Sequence, residues 1–248
     1  MPRGKNSGIP SNRPAPNCFA CQWRARSEWC VLDDEDMSSL NDSKSNSTYR
    51  TGQLVYNQGD TCSGIFCISS GLVAIRKADE HGNTVLVRLC YPGETIGYRD
   101  FFADEDYTTS AEILEPAQLC FVDRKSVRKL LDRNPGLGLS FLRKVSSDLD
   151  AAEETILQSA SHSVRVRFAH LLLALKDRYA TVRDDGALQM RLPLSRQDIA
   201  DMLGSRPETI ARVINMLEKE EVAFFSGRTV VIPDLDPLLD EIEPPQNP

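Results

Sequence analysis

The sequence predicts an α+β protein in which an N-terminal antiparallel β-roll is followed by a long helix and a C-terminal winged helix-turn-helix. Three patterns predict it. Short apolar alternations recur between residues 51 and 125, an apolar seam at helical spacing follows, and two short helical stretches joined by a glycine precede an extended piece. Many short, evenly spaced strands favour an antiparallel roll over a parallel sheet.

The bulk composition is that of a soluble globular protein. The chain has 248 residues, of which 41% are hydrophobic and 26% are charged, so one or two domains are expected. A net charge of −7 argues against a protein that holds nucleic acid by bulk attraction, although a small basic face is compatible with it. No apolar run is long enough to cross a membrane, and the N-terminus lacks the apolar middle of a secretory signal. Seven cysteines, an odd number, fit a reducing cytoplasm better than a disulfide framework, so we expect a cytoplasmic protein.

The patterns divide the chain into five predicted regions. In order they are an N-terminal segment, the β-roll, the long helix, the winged helix-turn-helix and a tail, at 1–46, 47–136, 137–163, 164–239 and 240–248. The first 17 or so residues, rich in Pro, Asn, Ser and Arg, have nothing to bury and are expected to be disordered. The stretch "DEHGNT" at 79–84 predicts a hairpin turn, because Gly82 tolerates positive φ.

The long helix carries a seam of five apolar residues at steps of three and four. They are Leu142, Val145, Leu149, Ala152 and Ile156. Such a seam belongs either to a helix lying on its own domain or to half of a coiled coil. Because the β-roll already has its own core, we favour a homodimer. Four acidic residues flank the seam, and we expect them to crowd it and make the dimer marginal: Asp148, Asp150, Glu153 and Glu154.

The stretch "LPLSRQDIADMLGSRPETIARVINMLEKEEV" predicts a DNA-reading helix-turn-helix. Ser195 with Asp198 forms a capping pattern, Gly204 supplies the turn, and Ser205 with Glu208 repeats the capping pattern. The N-terminal part of the second helix would then enter the major groove, and the extended "RTVVIP" after "FSGR" would form the wing.

Five residues at the start of the second helix are the candidate DNA contacts. They are Ser205, Arg206, Glu208, Thr209 and Arg212. Arg can fork onto guanine and Glu can accept from the cytosine amino group. In the alternative interpretation, Glu208 merely caps its helix and pairs with Arg212 one turn later. Residues 190–232 contain six basic and six acidic side chains, so attraction to phosphate should be modest and dimer avidity important.

The order of these elements resembles the CRP/FNR family of bacterial transcription regulators. The resemblance covers about residues 31 to 239 and is carried by "GQLVYNQGD", "GIFCISSGLVAI", "YPGETIG" and "LSRQDIADMLGSRPETIARVI". It implies a dimer, joined along the long helix, that binds palindromic double-stranded DNA and contacts RNA polymerase. It also implies a half-site resembling TTGA, although Ala211 stands where the recognition helix of the FNR branch usually has Ser.

Four cysteines match the FNR branch, which senses oxygen with a [4Fe–4S] cluster. Cys18, Cys21 and Cys30 correspond to its three N-terminal ligands and Cys120 to the fourth. Soft thiolates suit such a cluster. Eight residues separate Cys21 from Cys30, a longer gap than is typical of the branch. A structural zinc, thiol–disulfide sensing and no function remain alternatives for these cysteines.

Other features of the chain have simpler interpretations. Cys62, Cys67 and Cys90 lie in strand-like segments and are interpreted as structural. Two tryptophans beside the leading cysteines either shield a cluster or dock the segment. No cyclic nucleotide is expected, because Thr109 stands where a nucleotide-binding relative would have the arginine that pairs with the phosphate. No enzyme motif is present, and the competing function is a regulator without a cluster, constitutive or controlled by thiol redox or another effector.

Overall fold

The computed structural model describes residues 9–10 and 17–242. Most of the predicted disordered start, at 1–8 and 11–16, and most of the tail, at 243–248, lie outside these residues. Three short 3-10 turns open the continuously described part: Cys18–Ala20, Arg24–Arg26 and Glu28–Val31. The predicted α+β architecture, with an antiparallel sheet, a long helix and a C-terminal helix-turn-helix in that order, is confirmed.

The strands form two antiparallel sheets. The strands of the first sheet are β1 Ile9–Pro10, β2 Ser45–Tyr49, β3 Leu54–Tyr56, β4 Gly64–Ala78, β5 Thr84–Cys90, β6 Thr95–Ile96 and β7 Ser110–Asp123. Their order is β1-β2-β7-β4-β5, with β3 also paired to β7 and β6 to β4. The strands of the second sheet are β8 Ala180–Val182, β9 Leu188–Arg191, β10 Phe224–Ser226 and β11 Thr229–Ile232, in the order β10-β11-β9-β8.

Eight α-helices complete the described part of the chain. They are α1 Asp34–Ser43, α2 Tyr98–Ala103, α3 Arg124–Arg133, α4 Pro135–Ser161, α5 Val164–Tyr179, α6 Arg196–Met202, α7 Pro207–Lys219 and α8 Asp236–Asp240. The chain divides into two compact units, and the boundary falls within α4, after Asp150. Among the residues that the structure describes, every helix is too short or too polar to cross a lipid bilayer.

The β-roll is built around the long strands β4 and β7, which pair along most of their length. Alternating apolar side chains of these strands, among them Ile65, Ile113 and Leu119, are almost completely buried. The predicted hairpin joins β4 to β5, and Gly82 there has a φ of +82°. The side chain of Asp79 accepts hydrogen bonds from the backbone N–H groups of His81 and Asn83, both at 2.9 Å, which closes the turn.

In the second unit the predicted helix-turn-helix consists of α6 and α7. The capping box of α6 is confirmed, because the Ser195 and Asp198 side chains each accept a hydrogen bond from the other's backbone N–H. The second predicted cap is wrong: α7 begins at Pro207, Arg206 is its N-cap, and no side chain caps it. Pro207 suits the first helical position because its fixed φ is helical and its missing N–H needs no partner there.

Candidate functional site

Four cysteines line one cavity in the first unit. They are Cys18, Cys21, Cys67 and Cys120, and we call this space the thiol cavity. Three of them belong to the predicted ligand set, and Cys67 does not. Cys18 lies in the first 3-10 turn, whereas Cys120 lies in β7 and therefore comes from the body of the β-roll. The fold thus brings thiols that are about a hundred residues apart in the chain (Cys18 to Cys120) to one place.

Helix α1 fixes the first turn at the cavity wall. The backbone N–H of Cys18 donates to Asn41 Oδ1 at 3.0 Å, and the same oxygen accepts from Lys44 Nζ at 2.9 Å. Lys44 also lines the thiol cavity. Its ammonium is the type of group that balances thiolate charge in a partly buried site.

Burial and neighbouring charges shift the pKa values of the thiols of this cavity. Burial raises the pKa of Cys120 to about 11, against the opposing effect of Lys44, and Cys18 and Cys21 add to the rise. Burial likewise raises the pKa of Cys18, and Lys44 again opposes the rise. These thiols therefore hold their protons more tightly than ordinary cysteines do.

Cys30 is placed apart from the other three predicted ligands. It lies in the third 3-10 turn, is exposed, and does not line the thiol cavity. Cys21 and Cys30 line a second, more open depression together with residues of the turn at Arg24–Arg26. Within 9–10 and 17–242, no three His, Cys, Asp or Glu side chains are close enough together to hold a metal ion.

The segment between Cys21 and Cys30 is folded onto the β-roll. Trp23 Nε1 donates to the backbone oxygen of Ser69 at 3.0 Å, and the indole packs over Gly93. Glu28 is buried and accepts from Thr95 Oγ1 at 2.7 Å. The extra residues of the long gap therefore form an anchored structure.

Both tryptophans of this region dock the segment, and both line the thiol cavity. Trp29 is 4% exposed, and its ring meets Phe141 of α4 edge to face at a centroid distance of 5.6 Å. Asn134 Nδ2 donates to the backbone oxygen of Val31 at 3.2 Å. The cysteine-bearing segment is thereby packed directly against the start of the long helix.

The face of α4 that packs on the β-roll carries a charged cluster. Asp148 binds Arg88, the Tyr98 hydroxyl and Lys144, the last at 2.8 Å. The same Lys144 Nζ lies 3.4 Å from Glu94 Oε1. The expectation that Asp148 crowds the apolar seam is therefore wrong, because this carboxylate faces its own β-roll and is paired there. The sequence did not predict this pairing, because apolar residues at helical spacing occur on both faces of α4 and do not show which face Asp148 joins.

The predicted seam lies on the opposite face of α4. Leu142, Val145, Leu149 and Ile156 are 39–68% exposed, and Ala152 is exposed as well. Buried residues of the same helix, Leu137 and Phe141, contact the β-roll core instead. Large apolar side chains left in water along one stripe are typical of an interaction surface.

The DNA-contact candidates lie at the start of α7. Arg206, Glu208 and Arg212 are exposed, while Ser205 and Thr209 are half-buried. Ile210, Val213, Ile214 and Leu217 on the other side of α7 are buried in the core of this unit. In the described part of the chain, Glu208 and Arg212 form no ion pair with each other. The alternative interpretation, in which these two charges pair within the helix, therefore does not match the structure.

The position beside Glu94 is occupied by protein groups. The carboxylate accepts from the backbone N–H of Tyr91 at 2.6 Å and from Lys144, as described above. Thr109 is buried at 8% exposure. Glu94 is thus paired, and Thr109 buried, within the β-roll.

Cys67 and Lys44 are the cavity residues that sequence reasoning missed. Cys67 pairs directly with Cys120 in the register of β4 against β7, a register that no local pattern predicts. The polar sequence around Lys44 resembles an ordinary linker. The only available signal was that both long strands carry one cysteine each.

Two family models match the chain. A cyclic nucleotide-binding domain matches residues 47–134, and a Crp-like helix-turn-helix domain matches residues 166–241. The first covers most of the β-roll together with all of α2 and α3, and the second covers most of the second unit, including α6 and α7.

Characterised proteins are similar over most of the chain. The transcriptional activator protein FnrL of Cereibacter sphaeroides is 28% identical over 230 residues, which cover 90% of this chain and 91% of that protein. An anaerobic regulatory protein of Haemophilus influenzae is 27% identical, covering 89% and 86% respectively. The solved structure of FixK2 from Bradyrhizobium japonicum has a TM-score of 0.68 at 23% identity, covering 81% of this chain and 98% of that one. This last likeness supports the fold.

Proposed function

The chain belongs to the CRP/FNR family of transcription regulators, and on this premise we propose that it is an oxygen or redox sensor that holds a [4Fe–4S] cluster and binds DNA as a homodimer. The observation that carries the sensing part is the convergence of Cys18, Cys21 and Cys120 on the thiol cavity. Support also comes from relatives described as anaerobic regulators. Such a regulator acts in the cytoplasm, where the DNA is.

The residues present fit the proposed cluster in their chemistry. Cysteine thiolates are the usual ligands of iron–sulfur clusters, and four of them complete the coordination. In our proposal Cys18, Cys21, Cys30 and Cys120 hold the cluster. Lys44 offsets their negative charge, and the indoles of Trp23 and Trp29 limit access of water. When bound, the cluster supplies an oxygen-labile crosslink between the N-terminal turns and β7.

The segment next to these ligands contacts the long helix α4. Trp29 packs against Phe141. A loss of structure in the 3-10 turns therefore weakens the packing of α4 against the β-roll. On its other face, Leu142, Val145, Leu149, Ala152 and Ile156 form the proposed dimer interface. A marginal equilibrium between monomer and dimer is shifted by a small difference in free energy between the two states.

The dimer would present two α7 helices to a palindromic site in double-stranded DNA. Ser205, Arg206, Glu208, Thr209 and Arg212 are the proposed contacts, with the two arginines and Glu208 reading base edges. RNA polymerase is the proposed protein partner of the DNA-bound dimer.

The test is iron and sulfide analysis with visible spectra on protein purified without oxygen. We expect a brown protein with about four irons per chain, which loses its colour and its DNA affinity in air. Cys120→Ala should abolish both the colour and the regulated DNA binding. Cys62→Ala should abolish neither, because Cys62 is buried outside the thiol cavity.

The result that would overturn the proposal is a colourless protein that binds DNA equally with and without air. Zinc in place of iron would assign the cysteines a structural role. A colourless protein whose DNA binding responds to thiol reductants would support the competing regulator controlled by thiol redox.

A further inference from the structure

Cys67 differs from the other two cysteines of the β-roll that the sequence assigns to structure. Cys62 and Cys90 are at most 1% exposed, and neither lines the thiol cavity. Cys67 is only partly buried and forms part of the cavity wall together with Cys18, Cys21 and Cys120. Its position is therefore that of a possible ligand.

The strand register places Cys67 next to a proposed ligand. Cys67 and Cys120 are direct partners in the antiparallel pairing of β4 with β7. Directly opposed residues point to the same face of a sheet, and their Cβ atoms are about 4.5–5.5 Å apart. Iron held by Cys120 would therefore have the thiol of Cys67 as a near neighbour.

Cys30 has the opposite properties. It is exposed, it stands outside the thiol cavity, and it shares only the open depression with Cys21. To join the other three ligands, the third 3-10 turn has to shift. That turn is held by the buried Trp29 and by the hydrogen bond from Thr95 to Glu28.

We propose that Cys67 is a fourth ligand thiol of the cavity, able to take the place of Cys30 on the cluster. The inference rests on the proposed function. The exchange would be a substitution at iron: the Cys67 S–H bond would break and its proton leave to solvent, a sulfur–iron bond would replace the bond to Cys30, and the released Cys30 thiolate would take up a proton from solvent, with no change in oxidation state. The site thus has two thiols, Cys30 and Cys67, for one ligand position, while Cys18, Cys21 and Cys120 fill the other three.

The test compares variants loaded with ferrous iron and sulfide under nitrogen. Cys30→Ala and Cys67→Ala should each keep the iron content and visible absorbance of the unmodified protein, whereas the double variant should lose both. The matched control is Cys30→Ala combined with Cys62→Ala, which removes a β-roll cysteine outside the cavity and should keep its iron. Circular dichroism reports whether each variant is folded.

A second measurement needs no double substitution. In Cys30→Ala, Cys67 should resist alkylation by iodoacetamide when iron is bound and react after the iron is removed by a chelator. A Cys30→Ala variant that takes up no iron, or one that takes it up with Cys67 still reactive, would overturn the inference. If the unmodified protein itself takes up no cluster, the proposed function fails first, and the two failures are thus told apart.

Discussion

At the scale of single residues, Asp148 shows how one side chain can change the expected role of a whole helix face. The sequence places it among four acidic residues beside an apolar seam. In the structure its carboxylate is bound by Arg88, Tyr98 and Lys144 on the β-roll side. Although burial opposes ionisation, the hydrogen bonds from Lys144 and Tyr98 and the charge of Arg88 lower the pKa of Asp148.

Asp148→Asn should destabilise the first unit at neutral pH by about 1–3 kcal/mol, because hydrogen bonds to a charged group are lost. A carboxyl whose pKa is lowered in the folded state stabilises above its ordinary pKa, 3.8, and loses that contribution as pH falls below it. The difference in the free energy of unfolding between the unmodified protein and Asp148→Asn should therefore decrease below pH 3.8. Urea unfolding followed by tryptophan fluorescence measures it, since Trp23 and Trp29 are the protein's two tryptophans and both belong to this unit.

Asp150→Asn is the matched control for that experiment, because Asp150 is exposed on the same helix. It should change stability little at either pH. An Asp148→Asn variant with the same deficit at pH 7 and at pH 3 would contradict the assignment of the charge cluster.

Glu208 is the second residue for which we predict the effect of a substitution. It is exposed near the start of α7, and a carboxylate there can accept from a cytosine amino group. Glu208→Ala should relax base preference at one position of each half-site, at a cost of about 1–3 kcal/mol in discrimination. Site selection from a random DNA pool measures this. Asn215→Ala, exposed further along α7, should leave the preference unchanged, and an unchanged preference in Glu208→Ala would exclude Glu208 as a base reader.

At the scale of elements, α4 is a helix with two different apolar faces. Phe141 and Leu137 are buried against the β-roll, whereas Leu142, Leu149 and Ile156 are exposed. The first face is needed for the fold of the single chain. The second is left for a partner, and the proposed dimer would bury it.

Leu149→Ala combined with Ile156→Ala should shift the protein from dimer to monomer. Because both side chains are exposed in the single chain, unfolding of the monomer should change by no more than about 0.5 kcal/mol per site. Sedimentation velocity under nitrogen at several concentrations measures the shift. Val182→Ala, which removes an exposed apolar side chain from β8, is the control, and a dimer that persists in the double variant would place the interface elsewhere.

The cysteine-bearing turns form the other functional element, and their contact with α4 is testable. Trp29→Leu keeps an apolar group in the core but removes the edge-to-face contact with Phe141. We expect the variant to keep its iron while the difference in DNA affinity between nitrogen and air decreases. Phe19 is exposed in the first turn. The control Phe19→Leu should therefore keep both the iron and the difference in DNA affinity between nitrogen and air. Anisotropy titrations on operator DNA, with iron analysis, measure the two effects, and an unchanged response to air in Trp29→Leu would contradict this coupling.

At the scale of the whole molecule, charge and symmetry decide how DNA is bound. The chain carries a net charge of −7, and residues 190–232 are neutral. Long-range attraction to phosphate is therefore weak, and in the proposed dimer the affinity would come from two α7 helices acting together.

Scrambling one half of a palindromic site should consequently lower the affinity of the anaerobic protein by about 100-fold or more, because the second binding event gains from effective concentration. Anisotropy at fixed salt compares the intact and the half-scrambled sites. A difference of only two-fold, the statistical factor for two equal sites, would mean that each chain binds alone.

Much of this organisation is predictable from the sequence because it depends on local patterns. The capping box at Ser195, the hairpin at Gly82 and the seam from Leu142 to Ile156 each depend on residues that are close together in the chain. The cap expected at Ser205 failed for an equally local reason, since Pro207 sets the start of α7 one residue later. The short strands β8 and β9 escaped prediction because they are too short to show alternation.

The sequence by itself determined the order of the elements, the family and the set of cysteines worth testing, because periodicity, caps and motifs are written in neighbouring residues. Only the tertiary structure decided which cysteines line one cavity, which groups bind Asp148 and what Trp29 contacts. These outcomes depend on the register of β4 against β7 and on the docking of the N-terminal turns. Such contacts join residues tens of positions apart, and their geometry follows from packing the complete core, which no short stretch of sequence encodes.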